Sequence, residues 1–140
     1  LRAPMNIYIF GNGNISFSDF KTHYEQVINR YLDDEKNSFS LCDFKGVDTL
    51  TMELLKTSTN VSIYHIADKP RYLPDPYKTK AGRWKIIGGF ENDEQRDLEV
   101  IKNCTHFIAI DFNTNSNRQS GTQKNIEICE ALGKIRLKNE

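Results

Sequence analysis

Residues 106–134 read HFIAIDFNTNSNRQSGTQKNIEICEALGK, and this stretch is the best guide to the fold. A short apolar run at 107–110 ends in Asp111, and a polar loop leads to Ser120-Gly121-Thr122, where a helix begins that ends at Gly133-Lys134. A buried strand, a loop and a helix with small polar residues in its first turn often present backbone N–H groups to an anion. The stretch therefore predicts an anion-binding helix start at one edge of a sheet.

The remainder of the chain alternates between strand and helix patterns. Short apolar runs predict strands at Asn6–Phe10, Ser38–Cys42, Val61–Ile66, 107–110 and 135–137, with a short edge strand at 86–87. Apolar residues three and four apart predict helices over 17–32, from about 47 onward, after Asn92 and after Ser120. Gln95 and Gln123 stand three residues after the last two caps, as in capping boxes. In the helix after Asn92, Leu98, Val100 and Ile101 are expected to face inward.

This alternation predicts a Rossmann-like α/β fold, with a parallel sheet of about five strands and helices on both faces. Residues 5–140 are expected to form one domain, and Leu1–Pro4, before Met5, to be an expression remnant. In such sheets ligands bind at the carboxyl ends of the strands. Three loops should meet there, at 11–18, 43–48 and 111–122.

Composition argues against several classes of protein. Nineteen basic and nineteen acidic residues cancel, which gives no electrostatic case for nucleic-acid binding. No apolar run approaches the roughly 20 residues that cross a bilayer. The three cysteines are widely spaced and the three histidines scattered, so neither a disulfide framework nor a metal site is expected. A reduced, cytoplasmic setting without a cofactor is the simplest interpretation.

Two features could serve either structure or ligand binding. The glycines of Gly11-Asn12-Gly13-Asn14 could admit a phosphate or only make a tight turn, since the sequence lacks the third glycine of a dinucleotide fingerprint. Gly46-Val47-Asp48 could contact a ligand, or be a turn glycine, a core valine and an N-cap aspartate.

The later loops raise the same question. Ser120 is explained by capping alone. Gly121 weakens a first helical turn, so its presence is better explained if an anion approaches the backbone of Gly121 and Thr122 closely. Arg96, beside Asp97, is either an exposed residue or a fork for a ligand phosphate. Asp111 is either a turn former or an acceptor for ribose hydroxyls.

The segment from Lys69 to Lys85 is basic and rich in proline and glycine, which is typical of a binding loop or lid. Its Trp84 is expected to pin the loop to the core rather than to stack on a base. A role for this segment as a surface for a protein partner stays open.

In the order and spacing of these motifs the chain resembles the SLOG superfamily of Rossmann-like domains, over 5–134. Related proteins include cytokinin-activating phosphoribohydrolases and nucleoside 2-deoxyribosyltransferases. The resemblance implies a nucleotide or ribose-phosphate ligand and a homodimer or higher oligomer. The transferase branch has a G-T-x-x-E motif, with G-K eight residues beyond its nucleophilic glutamate. Gly121-Thr122 and Gly133-Lys134 fit that frame and place Asn125 at the glutamate.

An amide cannot form the glycosyl ester that a carboxylate forms, so the resemblance favours binding or sensing over catalysis. In this hypothesis Asn125 bonds the sugar. The alternative is an N-glycosidase, phosphoribohydrolase or deoxyribosyltransferase-like enzyme that uses another acid, Asp48 or Asp97.

Overall fold

The computed structural model describes residues 3–77 and 83–139, which form an α/β domain around one parallel sheet. Its six strands lie in the order β4-β3-β2-β1-β5-β6. They are β1 Asn6–Ile9, β2 Ser38–Cys42, β3 Val61–Ile66, β4 Lys85–Phe90, β5 His106–Ile108 and β6 Ile135–Arg136. The Rossmann-like prediction is confirmed, with six strands in place of about five.

The strand order places the switch point of the sheet beside β1. The chain runs outward from β1 to β4 and then returns to the opposite side of β1 with β5. Tyr8 of β1 is therefore in register with Ser40 of β2 on one side and with Phe107 of β5 on the other. A crevice forms at such a reversal because the connections on either side of it run to opposite faces of the sheet.

The last two helices begin where their capping residues predict. The helices are α1 Phe17–Phe20, α2 Gln26–Leu32, α3 Val47–Leu54, α4 Asp93–Asn103 and α5 Gly121–Ala131, with a π-helical turn at Lys21–Glu25 joining the first two. Asn92 accepts from the N–H of Gln95 at 2.8 Å, and Ser120 accepts from the N–H of Gln123 at 2.9 Å. Both predicted N-caps are confirmed.

The interpretation of Asp48 as an N-cap is wrong. The N-cap of α3 is Gly46, whose φ of +81° favours glycine. Asp48 lies inside the first turn, and its carboxylate accepts a hydrogen bond of 2.9 Å from the N–H of Phe44. A Cβ at Gly46 would also lie 2.6 Å from the Cα of Gly13, so this glycine lets two loops meet.

Two apolar layers cover the sheet, one on each face. The α1–α2 segment and α3 build the first layer, and α4 and α5 build the second. Val100 and Ile101 are fully buried as expected, but the prediction for Leu98 is wrong, because this residue is 41% exposed. The inward face of α4 carries Arg96 instead, one turn before Val100.

Trp84 pins its loop to the core, as predicted. Its indole Nε1 donates to the carbonyl of Ser58 at 2.8 Å, and its ring stacks on Tyr77 with centroids 4.0 Å apart. Residues 78–82 of the basic segment lie outside the described residues. The cysteines Cys42, Cys104 and Cys129 are buried and free.

Candidate functional site

A cleft of about 590 Å³ opens at the carboxyl ends of β1 and β5, at the switch point. Its walls are the loop at 11–14, the Phe44-Lys45 turn, the first turn of α4, the loop at 112–118 and the start of α5. Small-molecule sites commonly have volumes of this size. The three loops predicted to meet at this edge therefore do meet.

The hydroxyl group of Tyr24 holds the two strand ends together. It donates to the carbonyl oxygens of Phe10, at 2.9 Å, and Ile110, at 3.2 Å, and it accepts from the N–H of Ile110 at 2.9 Å. A Cβ at Gly11 would collide with this hydroxyl and lie 2.6 Å from Cγ2 of Val47. Gly11 is thus required by packing behind the cleft wall.

Asn12 and Asp111 join the first loop to the last. Asn12 donates from Nδ2 to Oδ1 of Asp111 at 3.0 Å, and its own Oδ1 accepts from the N–H of Phe112 at 2.8 Å. Asp111 Oδ1 also accepts from the Ser120 hydroxyl at 2.8 Å and from the N–H of Asn113 at 3.2 Å. Partial burial opposes ionisation, but these hydrogen bonds outweigh it and hold the pKa of Asp111 below its usual value. Asp111 therefore forms a turn, and its role as an acceptor for ribose hydroxyls stays a prediction.

The start of α5 is open to the cleft. Gly121 and Thr122 line it, and a Cβ at Gly121 would meet nothing within 4 Å. The first N–H groups of a helix have no partner within the helix. In the described part of the chain no acceptor bonds the N–H groups of Gly121 and Thr122. These two amides are free to bind an anion.

Two cations stand on the rim of the cleft, Lys45 and Arg118. Among residues 3–77 and 83–139, neither side chain forms an ion pair. Lys45 Nζ lies 6.0 Å from the centroid of the Phe44 ring. With the start of α5, they offer an anion two cations and two backbone donors, on a rim that also carries the half-exposed carboxylate of Asp93.

Arg96 is buried beneath the cleft, so its interpretation as an exposed residue is wrong. It is 4% exposed and donates to Asp43 Oδ1 at 3.0 Å and to Asp97 Oδ1 at 3.1 and 2.9 Å, and it pairs with Asp93 at 2.9 Å. Burial alone would lower the pKa of Arg96, but the surrounding thiol and carboxylate groups raise it. Because three carboxylates already hold this guanidinium, the role of Arg96 is to position these carboxylates at the cleft.

Asp43 links the basic segment to this buried cluster. Its carboxylate accepts from the Arg71 N–H at 2.7 Å, from Arg71 Nε at 3.3 Å and from Arg71 Nη2 at 3.1 Å. Burial favours the neutral acid, but the hydrogen bonds from Arg71 and the charges of Arg71 and Arg96 dominate and lower the pKa of Asp43. This pairing brings the beginning of the basic segment up to the cleft wall.

Asp97 fixes the orientation of Asn125. Its Oδ1 accepts from Arg96 and, at 3.5 Å, from the thiol of Cys42, while its Oδ2 accepts from Asn125 Nδ2 at 3.0 Å. The Asn125 amide must therefore present nitrogen to Asp97. Its carbonyl Oδ1 accepts no hydrogen bond from the described residues and remains available on the side of the cleft.

Asp48 lies at the floor of the same cleft and is 5% exposed. Burial is the main reason that the pKa of its carboxyl group is raised to about 7. The hydrogen bond from the Phe44 N–H and the charge of Arg96 lower this pKa, and the charges of Asp97 and Asp43 raise it further. Near neutral pH this group is thus divided between its acid and carboxylate forms.

The predicted site residues separate into two groups. Those that line the cleft are Gly11, Asn12, Asp48, Arg96, Asp97, Ser120, Gly121, Thr122 and Asn125. Gly46 and Val47 lie behind the wall, and Asp111 borders an adjoining recess lined by Arg118 and Gln119. Sequence reasoning missed Phe44, Lys45 and Arg118, although their positions inside the predicted loops were a usable signal.

The chain matches no protein-family model, no curated protein and no solved structure. The fold and the cleft define its class as a Rossmann-like α/β domain with a cleft at the switch point. Membership of the SLOG superfamily stays a prediction. Among the described residues, no helix is long and apolar enough to cross a membrane, and no group of three or more His, Cys, Asp or Glu side chains is placed to hold a metal ion.

Proposed function

We propose that the cleft binds a nucleotide or another ribose-phosphate ligand. The observation that carries this proposal is the polarity of the cleft. Its rim offers the unbonded amides of Gly121 and Thr122 and the cations Lys45 and Arg118. Its floor offers acceptors, namely Asn125 Oδ1 and the Asp48 carboxyl group. An anion is stabilised at the rim and hydroxyl donors at the floor.

The spacing on α5 suits such a ligand. Gly121 and Asn125 stand four positions apart, so they share one helix face and are separated by about 6 Å along the axis. A phosphate at the amide of Gly121 and a sugar hydroxyl at Asn125 Oδ1 span a distance of this order in a ribose phosphate. Arg96 is already paired, which leaves the start of α5 as the better anion site.

The arrangement favours binding over glycosyl transfer through residue 125. Asn125 has no nucleophilic oxygen for a glycosyl ester, and its amide nitrogen is held by Asp97. The resemblance to SLOG domains leads to the same ligand class. In this function Asp97 and Arg96 position Asn125, and Asn12 and Asp111 hold the loops around the ligand.

Calorimetric titration tests the proposal with AMP, ribose 5-phosphate, ADP-ribose and inorganic phosphate as probes. Gly121→Val places a side chain in the open space at the start of α5, so it should weaken binding at least tenfold and leave the melting temperature nearly unchanged. Arg118→Gln should weaken binding, and Arg30→Gln, a surface change outside the cleft, should not. Absence of binding by all four probes, or unchanged affinity in Gly121→Val, would overturn the proposal.

A second candidate function rests on Asp48. A buried carboxyl group with a pKa of about 7 in a cleft is suited to general acid catalysis. Hydrolysis of an N-glycosidic bond would break the bond between C1′ and the base nitrogen and move the Asp48 proton to that nitrogen. Water would add its oxygen and one proton to C1′ as a hydroxyl group and return its second proton to the Asp48 carboxylate. Chromatography of nucleoside monophosphates incubated with the protein would detect the free base.

The enzyme hypothesis predicts that Asp48→Asn abolishes release of the base while AMP still binds. The binding hypothesis predicts no release by the unchanged protein at any pH from 5 to 8. Asp33→Asn, at an exposed position outside the cleft, is the matched control.

A further inference from the structure

The cleft contains aromatic rings of two kinds, buried and open. Tyr8 and Phe10 are 1% and 4% exposed and stack on one another with centroids 4.4 Å apart. Phe112 is partly buried and packs edge-on against His23 at 5.4 Å. Phe44 is 41% exposed. Among the described residues that line the cleft, Phe44 is thus the large apolar side chain with the most open surface.

The backbone of Phe44 is fixed by a hydrogen bond, and a neighbouring loop packs against its ring. The Phe44 N–H donates to Asp48 Oδ2 at 2.9 Å. A Cβ at Gly13 would lie 2.6 Å from Cε2 of the ring, so the first loop packs closely against it. A ring fixed in this way loses little conformational freedom when a ligand covers it.

Cations accompany the ring. Arg71 Cζ lies 5.4 Å from its centroid, and Arg71 is itself fixed by Asp43. Lys45 Nζ lies 6.0 Å from the same centroid. Cations over aromatic rings are stabilised by the ring quadrupole, and aromatic and guanidinium groups together form the surfaces on which bases stack.

We propose that Phe44 is the platform on which the base of the bound ligand stacks. This inference rests on the proposed function and makes it narrower, because it requires a nucleotide in place of a sugar phosphate alone. The base lies on the part of the Phe44 ring that Arg71 leaves open, the sugar lies over Asn125, and the phosphate lies at the start of α5. Covering the ring also removes an exposed apolar surface from water.

The test compares AMP with ribose 5-phosphate by calorimetry, on the full chain and on three variants. Phe44→Leu should weaken AMP binding by about tenfold or more, the size of one base–aromatic stack. The same variant should change ribose 5-phosphate affinity by less than about twofold, since that probe has no base. Phe44→Trp should retain or strengthen AMP binding, and it also provides a folded variant with an aromatic ring.

Phe17→Leu is the matched control. Phe17 is 63% exposed and has a lysine over its ring, Lys21 Nζ at 5.6 Å, but it does not line the cleft. Equal losses for AMP and ribose 5-phosphate in Phe44→Leu, or unchanged AMP affinity, would overturn the inference while leaving the proposed function intact. Failure of AMP and ribose 5-phosphate, and also of ADP-ribose and inorganic phosphate, to bind the unchanged protein would overturn both.

Discussion

Asn125 donates a hydrogen bond of 3.0 Å to Asp97, and this contact joins α5 to α4 at the floor of the cleft. Because Asp97 accepts only, the contact determines which end of the Asn125 amide is left for a ligand. A carboxylate at position 125 would lie against the carboxylate of Asp97, and the two negative charges would repel each other.

Asn125→Asp should therefore lower stability as the pH rises. Two adjacent carboxylates cannot both ionise without repulsion, so the loss should be about 1 kcal/mol or more at pH 8 and should largely disappear at pH 4. Urea denaturation at the two pH values measures it. Asn117→Asp, at an exposed loop position, is the control and should show no such dependence. A pH-independent effect of Asn125→Asp would contradict the expectation.

Asp48→Asn should stabilise the protein at high pH. The folded-state pKa of Asp48 is raised to about 7, so the folded chain retains a proton that the unfolded chain loses near pH 4. The native state of the unchanged protein therefore loses stability relative to the variant as the pH rises from about 4 to about 7, by up to about 4 kcal/mol. Denaturation midpoints at pH 5 and pH 8 test the sign, and a gain that is no larger at pH 8 than at pH 5 would refute it.

The same substitution at two glycines should have opposite consequences. Gly11→Ala forces a methyl group against the Tyr24 hydroxyl and Val47, which should cost about 1–3 kcal/mol. Gly121→Ala meets open space and replaces glycine in a first helical turn, so stability should be unchanged or higher by up to about 1 kcal/mol. The melting temperatures of the two variants measure this difference. Equal effects would show that the close packing around Gly11 does not determine the stability.

Asp43→Asn should be strongly destabilising, because the Asp43 side chain is fully buried between two arginines. Removing one partner of a buried ion pair costs about 3–5 kcal/mol. In the unchanged protein the pKa of Asp43 is lower in the folded state than in the unfolded state, and this difference stabilises the fold. The stabilisation is fully present above the unfolded-state pKa and is lost as the pH falls through the folded-state pKa. The variant should lack that acid-dependent loss, as chemical denaturation between pH 2 and pH 6 would show. Asp33→Asn should behave as the parent does.

Most of the fold could be predicted because its signals are local. Continuous apolar runs at 38–42 and 61–66 gave strands with the observed bounds, and Asn92 and Ser120 marked true helix starts. The strand at Lys85–Phe90 was underestimated since it lies at the sheet edge and is mostly exposed, which removes the apolar pattern.

The site was harder to predict because its contacts join distant parts of the chain. Arg96 looks like a surface residue until Asp43, which lies 53 positions away, is brought against it by the sheet. The orientation of Asn125 depends on Asp97 in the same way, at a separation of 28 residues. Sequence spacing indicates which loops meet, but it does not indicate which polar groups pair with each other inside the protein when the loops meet.

The hydroxyl of Tyr24 lies within hydrogen-bond distance of the carbonyl oxygens of Phe10 and Ile110 at the switch point. The single O–H of Tyr24 is shared between these two carbonyl oxygens, so each already has a donor inside the protein. Discrimination among ligands falls to side chains and to the start of one helix. Such a site can be retuned by single substitutions at its surface, while the scaffold beneath it stays the same.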